Sequence, residues 1–289
     1  MRASLLHYRG STAALRRAGA ALLRGNTPVE ETISSRENAK IKYACRLADS
    51  AAFRRQEGAF LAEGPRLCPE LAKGTALRTL FYTEAALAHA PALAELPGTH
   101  CRIADHVAEK LAEVEANQGV FGIFSIPELS WEQTVRPGGR YLALERVQDP
   151  GNVGTLIRSA AAFGFDGVLL SDGCASPWAP KTLRASMGAA VRIPVLEVGS
   201  MAAAAARLRA AGICCLAAAL YHSQPLSEAP ASYPGGLCAV IGSEGQGLLP
   251  ETIEACDLSV RIPMTDKAES LNAGIAGSIL LWHFRGVGQ

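Results

Sequence analysis

The stretch Ile241-Gly-Ser-Glu-Gly-Gln-Gly-Leu248 follows an apolar run at 237–241 and precedes a helical pattern, so it reads as the loop joining a buried strand to a helix. Its glycines stand at relative positions 1, 4 and 6. That is the wrong order for the dinucleotide fingerprint G-x-G-x-x-G, and no Lys-Ser/Thr follows to make a phosphate loop. Nicotinamide and nucleoside-triphosphate chemistry are therefore disfavoured. Glycines here let backbone come close to a flat ligand, and Glu244 is the charged group of an otherwise bare loop. The plainer role for Glu244 is to cap a helix beginning near Leu248.

Outward from this loop, strands are expected at 141–144, 167–171, 213–219, 237–241 and 258–262, as continuous apolar runs without period-two alternation. Such strands are buried on both faces, which predicts an α/β domain with a parallel sheet covered by helices. Helices are expected at 154–164, 181–187, 201–211, 248–255 and 271–285. Ligands of open α/β sheets sit at the C-terminal ends of strands. Two further segments fall there, Asp149-Pro-Gly-Asn-Val-Gly-Thr-Leu-Ile-Arg158 and Ile262-Pro-Met-Thr-Asp-Lys-Ala-Glu-Ser-Leu-Asn272. In the first, Asn152 reads as a turn residue, with Thr155 and Arg158 in the first helical turns; the plain role for Arg158 is a surface arginine, capping carbonyls or pairing with Asp149. In the second, Ser270 and Asn272 are capping types. The small residues Ala273, Gly274, Ala276 and Gly277 leave a helix face suited to close passage of another backbone.

Ahead of this domain, a basic amphipathic helix at 34–47, capped by Ser34 or Ser35, opens a smaller α/β alternation. Extended segments are expected at 59–62, 77–82, 100–103 and 120–126, with helices at 65–72, 84–88 and 105–113 between them. The turn-rich segment around Pro137-Gly-Gly closes it. The organisation expected is an arm at 1–30, a first domain at 31–127, a linker at 128–140 and a second domain at 141–289.

The chain has 289 residues, 49% apolar and 19% charged, enough to bury cores in two domains. No apolar run approaches the roughly 20 residues of a membrane span. The eight cysteines show no C-x-x-C spacing and read as reduced, buried thiols of a cytoplasmic protein, not as a disulfide or zinc framework. His283 reads as a packed, hydrogen-bonded side chain. The net charge is +1, but residues 1–60 hold 11 Lys/Arg against 5 Asp/Glu, while the remainder holds 17 against 22. A basic front on a mildly acidic body fits a nucleic-acid handle, as it fits a solvated basic helix. The first 29 residues carry five arginines and no acid. A transit-like peptide, an RNA-binding arm and an inert tail all fit; a flexible arm is the reading preferred.

Three motifs in this order resemble those of the SpoU/TrmH branch of the SPOUT RNA methyltransferases. Residues 141–281 carry the resemblance, through Asn152, Arg158, Glu244, Ser270 and Asn272. At the front, Ser34-Ser-Arg-Glu-Asn-Ala-Lys-Ile-Lys42 and Phe60-Leu-Ala-Glu-Gly-Pro-Arg66 look like the ribosomal-protein-like substrate-binding domain of rRNA-modifying members. The resemblance implies a catalytic α/β domain with a trefoil knot, working as a homodimer without metal. It implies S-adenosylmethionine as methyl donor, lying against backbone at Ala218, Gly242, Ile262 and Leu271. Arg158 would then meet the RNA, with Asn152, Glu244, Ser270 and Asn272 arranging it. Asp266 departs from the family pattern, where a small residue is common, which bears on loop shape and RNA preference but not on these residues.

The reaction so implied is transfer of a methyl group to a ribose 2′-hydroxyl, most naturally of 23S rRNA. A tRNA substrate and a non-catalytic RNA-binding assembly factor stay open as alternatives. A guanidinium, with a pKa above about 12, is a costly base. Arg158 is therefore read as binding a phosphate and polarising the hydroxyl, the proton leaving late or to water.

Overall fold

The computed structural model describes residues 31–113, 117–230 and 232–285; the arginine-rich segment 1–30, expected as an arm, lies outside them. The described residues divide into two compact units, 31–47 with 58–126, and 48–57 with 127–285.

The first unit is a mixed five-stranded sheet with helices. Its strands are β1 (Glu31–Ile33), β2 (Ala59–Glu63), β3 (Leu77–Tyr82), β4 (Thr99–Ile103) and β5 (Val120–Ser125), in the order β1-β4-β3-β5-β2. β4 runs parallel to β1 and β3, while β5 is antiparallel to β3 and β2. Phe60, Phe81, Phe121 and Phe124 are fully buried, and Phe60 stacks on Phe124 at 5.6 Å between centroids. The helices are α1 (Ala39–Asp49), α3 (Leu67–Ala72), α4 (Glu84–His89) and α5 (Asp105–Leu111), with α2 (Ala51–Glu57) belonging to the second unit. The basic helix starts later than the sequence suggests. Asn38, not Ser34 or Ser35, caps it, its Oδ1 accepting the Lys40 N–H at 2.8 Å. Ser35 Oγ instead accepts the Glu37 N–H at 3.1 Å, one turn too early, and 31–33 are already committed to β1.

The second unit is built on an all-parallel seven-stranded sheet. Its strands are β6 (Arg140–Leu144), β7 (Gly167–Ser171), β8 (Val195–Gly199), β9 (Cys214–Ala218), β10 (Gln224–Pro225), β11 (Leu237–Ile241) and β12 (Leu258–Arg261). Their order is β10-β12-β9-β11-β6-β7-β8, with every pairing parallel. The helices are α6 (Trp131–Thr134), α7 (Pro150–Ala162), α8 (Pro180–Ser186), α9 (Met201–Ala210), α10 (Pro250–Ala255) and α11 (Ala273–His283). β7 and β11 are buried at every residue, as their continuous apolar runs require. The two strands the sequence reading lacks, β8 and β10, are the edges. An edge strand faces solvent and carries a mixed sequence, here Val-Leu-Glu-Val-Gly and Gln-Pro, so the apolar signal is missing.

Among the described residues no helix is long and apolar enough to cross a membrane. All eight cysteines are free; Cys68, Cys101, Cys215 and Cys238 are buried, and the other four are half-buried. Burial pushes the Cys68 thiol up to about 12, so it stays neutral. His283 is exposed, contrary to the expectation of a packed, hydrogen-bonded ring, because it falls on the outer side of α11; its ring meets Phe284 at 4.7 Å.

Candidate active site

α7 begins at Pro150, four residues ahead of the expected start, which places Asn152 inside the first turn and not in the loop. Asp149 is the reason. Its Oδ2 accepts the Asn152 N–H at 2.9 Å, and proline at the first helical position loses no bond there. Asp149 pairs with Lys181 at 3.1 Å and not with Arg158. That hydrogen bond from Lys181, helped by the Asn152 N–H, holds the Asp149 carboxyl below the usual carboxylate range.

The Asn152 side chain donates from Nδ2 to Glu244 Oε1, joining the first motif to the second across 92 positions of sequence. Glu244 therefore does not cap α10. Leu249 stands at that cap position, and the carboxylate that serves it is Glu145, at the end of β6. Glu145 is 2% exposed. Its Oε2 accepts the Leu249 N–H at 2.8 Å and its Oε1 the Thr252 hydroxyl at 2.6 Å, while its own N–H donates to Ile241 O at 2.8 Å. Glu145 thus grips both ends of the glycine loop. The sequence reading missed it; the signal was a lone acid closing the apolar strand Tyr141-Leu-Ala-Leu.

Within the loop, Ser243 and Gly247 exchange backbone hydrogen bonds at 3.2 and 2.9 Å. A Cβ on Gly242 would collide with the backbone of Gly247 and Leu248, so glycine there lets the loop close on itself. Gly247 needs its freedom for a φ of +69°. Gly245 has open space around it.

Asn272 caps α11, its Oδ1 accepting the Ile275 N–H at 3.2 Å. Ser270 is exposed and makes no side-chain hydrogen bond among the described residues, so of the two capping types only Asn272 caps. The small face of α11 meets side chains, not a passing backbone. A Cβ on Gly274 would lie 3.0 Å from Asn152 Oδ1 and 3.1 Å from Asn272 Oδ1, and one on Gly277 would run into Leu156 and Ile241. Ser278 Oγ and Ser159 Oγ, 2.9 Å apart, bind α11 to α7 lower down. Between these helices lies a groove of about 500 Å³ lined by Asn152, Thr155, Asn272, Ile275, Ser278 and Ile279 among others. Arg158, on α7, is exposed and has no hydrogen-bond or ion-pair partner among the described residues.

Ala218, Gly242 and Ile262 lie at or one residue beyond the C-terminal ends of β9, β11 and β12, which are neighbours in the sheet. Leu271 precedes α11, whose first turn touches Asn152. The structure thus gathers Asn152, Glu244 and Asn272, puts Arg158 free on the same helix as Asn152, and leaves Ser270 exposed ahead of α11.

Comparison with known proteins settles the family. The sequence is 32% identical over 257 residues to the Bacillus subtilis 23S rRNA (guanosine(2553)-2′-O)-methyltransferase RlmP, covering 88% of this chain and 99% of that one. The chain belongs to the SpoU rRNA Methylase family. The profile of that family matches residues 139–282, and that of the MRM3-like substrate binding domain matches residues 38–122. Among solved structures, the SpoU methyltransferase AviRb from Streptomyces viridochromogenes, in complex with AdoMet, superposes with a TM-score of 0.79 at 27% identity, covering 86% of this chain and 97% of that one. An AdoMet-bound rRNA methyltransferase from Sinorhizobium meliloti superposes at 0.77 with 29% identity, covering 88% and 97%.

Proposed function

We propose that this member of the SpoU rRNA Methylase family uses S-adenosylmethionine to methylate a ribose 2′-hydroxyl of large-subunit rRNA. The observation that carries the reading is the joining of Asn152, Glu244 and Asn272 beside an unpartnered Arg158, at the C-terminal edge of a parallel sheet. The Bacillus subtilis relative, a 23S rRNA (guanosine(2553)-2′-O)-methyltransferase, supports the 2′-O position and the 23S target.

The residues present fit the donor. Ala218, Gly242, Ile262 and Leu271 bring no charge, and the backbone groups of Gly242, Ile262 and Leu271 enter no hydrogen bond among the described residues, leaving donors and acceptors for an adenosine. When bound, S-adenosylmethionine supplies an electrophilic methyl carbon, so the protein's task is alignment of the hydroxyl and disposal of one proton. Arg158 binds a phosphate of the RNA strand and polarises the hydroxyl. The Asn152–Glu244 pair fixes the glycine loop, Asn272 caps α11, and the exposed Ser270 ahead of that helix joins them in arranging the RNA.

The homodimer belongs to the same proposal. Ile275, Ile279 and Trp282, at 54%, 37% and 54% exposure, form an apolar stripe at i, i+4 and i+7 on α11, which a second copy would cover. The trefoil knot is proposed on connectivity: after β12 the chain returns past β9 and β11 to place α11 against α7 and β11. The segment 31–127 acts as the ribosomal-protein-like RNA-binding domain, 128–140 as linker and 141–289 as the catalytic domain, working without metal in the cytoplasm. Replacing Arg158 with Ala tests the reading. Transfer to rRNA falls by at least about a hundredfold while S-adenosylmethionine still binds; unchanged transfer would remove Arg158 from the chemistry, and cellular function that survives the loss of transfer would favour a binding factor instead.

A further inference from the structure

The first unit contains a second cavity, of about 320 Å³, lined by Ala39, Lys40 and Tyr43 of α1, Arg78, Thr79 and Phe81 of β3, and Ile123 of β5. Its construction is unusual. Residues 78 and 79 are consecutive on a strand, and regular pleating would send their side chains to opposite faces. The pairing of β3 with β5 shifts register between Leu77 and Thr79, so Arg78 is opposite no residue, and the bulge brings it to the same cavity as Thr79. The Arg78 guanidinium is then fixed by donating to Ser125 Oγ at 2.9 Å and Gly58 O at 2.7 Å.

The lining has three layers of chemistry. Phe81 and Ile123 are buried and make an apolar floor, Tyr43 is a half-buried aromatic wall, and Lys40 and Arg78 are exposed cations. Lys40 sits in the first turn of α1, an 11-residue helix capped by Asn38, so the positive end of that helix adds to the cations. Lys40 pairs with Glu31, which leaves the cluster of Lys40, Arg78 and Glu31 with a net positive charge. A flat apolar ring with an anion beside it matches this lining. The size suits one nucleotide and not a duplex, and RNA is read in sequence through unstacked bases laid on aromatic and arginine faces.

We propose that this cavity holds one splayed-out nucleotide of the RNA substrate, its base between Tyr43 and Arg78 over Phe81 and Ile123, and its phosphate at Lys40 and the start of α1. The proposal rests on the reading of the chain as an RNA methyltransferase and adds to it a specificity site remote from the methyl-transfer motifs in sequence. A free nucleotide shares this chemistry; the source assigned here is the RNA strand, since every lining residue but Ile123 lies within the segment 38–122 matched by the substrate-binding family.

The test uses the full chain and two probes: a fluorescein-labelled 23S rRNA transcript fragment set that the wild-type protein methylates, and S-adenosylmethionine alone. Tyr43→Ala weakens fragment binding roughly tenfold and Tyr43→Phe leaves it near wild type, because the stacking face remains. Lys40→Gln weakens binding and lowers the slope of log K against log salt by about 0.7, one phosphate contact. Donor binding stays within about twofold in all three. A 4-thiouridine version of the fragment crosslinks wild-type protein within residues 39–43 or 78–81, a result that depends on no variant folding. Wild-type affinity for RNA in Tyr43→Ala, together with crosslinks elsewhere, overturns the proposal while leaving the methyltransferase reading intact. Displacement of the fragment by uridine or guanosine monophosphate at equal concentration overturns the assignment to the RNA strand. A wild-type protein that neither binds nor methylates any rRNA fragment removes the reading on which the proposal rests.

Discussion

Glu145 offers the sharpest test of how the glycine loop is held. Its carboxylate is 2% exposed and accepts two hydrogen bonds, from the Leu249 N–H and the fully buried Thr252 hydroxyl. Hydrogen bonds to a charged group contribute about 1.5–3 kcal/mol each, and a buried donor left without a partner keeps its desolvation cost. Glu145→Ala therefore destabilises the protein by about 3–5 kcal/mol, the lower figure applying if the Leu249 N–H finds water. For a unit of this size each kcal/mol moves the melting temperature by about 2–4 °C, so the expected fall is roughly 6 °C at least. Glu145→Gln is the control. Its amide oxygen still accepts from Leu249, and its NH2 can donate to the Thr252 hydroxyl once that rotates, so the loss shrinks to about 1 kcal/mol. The consequence for function follows from position. Releasing Leu249 frees one end of the loop that carries Gly242 and Glu244, and about 1.4 kcal/mol of that loss falling on the donor site weakens S-adenosylmethionine binding tenfold. Thermal unfolding followed by tryptophan fluorescence, with donor affinity from calorimetry, measures both. A melting temperature for Glu145→Ala within about 2 °C of wild type, with unchanged donor affinity, would refute the argument.

Other consequences are as concrete. Gly154→Ala gains about 1 kcal/mol of helix propensity but drives its Cβ to 2.5 Å from both Thr182 O and Ala185 Cβ, and backbone cannot yield. The net loss is about 2 kcal/mol or more by urea denaturation, whereas Gly277→Ala, which meets the movable methyl ends of Leu156 and Ile241, loses less. Asp149→Ala removes the cap of α7 and costs about 1 kcal/mol, while Asp149→Asn keeps the cap and loses only the pairing with Lys181. Because the folded Asp149 carboxyl titrates below its unfolded value, its contribution is full above about pH 4 and disappears as pH falls further through the folded pKa. Stability curves of wild type and Asp149→Asn measured downward from pH 6 should therefore converge only in acid. Arg158→Lys keeps a cation but not the planar fork, so kcat falls at least about tenfold with donor affinity unchanged; a near-full rate would argue against bidentate positioning.

The sequence made the interior of the second unit legible because β7 and β11 are buried on both faces and so carry unbroken apolar runs. It did not show β8 or β10, since edge strands lack that constraint. Asn152, Glu244 and Asn272 were found because each stands in a motif with a distinctive neighbourhood. The reason for their grouping was not legible: it lies in a hydrogen bond spanning 92 positions and in the close approach of Gly274 to Asn152. Helix starts failed where a cap competes with its neighbours. Asn38 wins over Ser35, and Asp149 draws α7 back over Asn152, because the residue whose oxygen reaches the second or third helical N–H decides. Glu145 belongs to no motif and its one trace is a lone acid at the end of an apolar strand, while the Lys40–Tyr43–Arg78 cavity depends on a register shift between two strands and leaves no local trace.

The most direct measurement of the central claim is the identity of the methylated nucleoside. Purified protein is incubated with labelled S-adenosylmethionine and unmodified 23S rRNA or a tRNA pool, and the digested RNA is analysed by mass spectrometry. Label is expected in a single 2′-O-methyl nucleoside from the 23S rRNA. Label on a base would contradict ribose methylation, and label only in tRNA would contradict the assigned substrate.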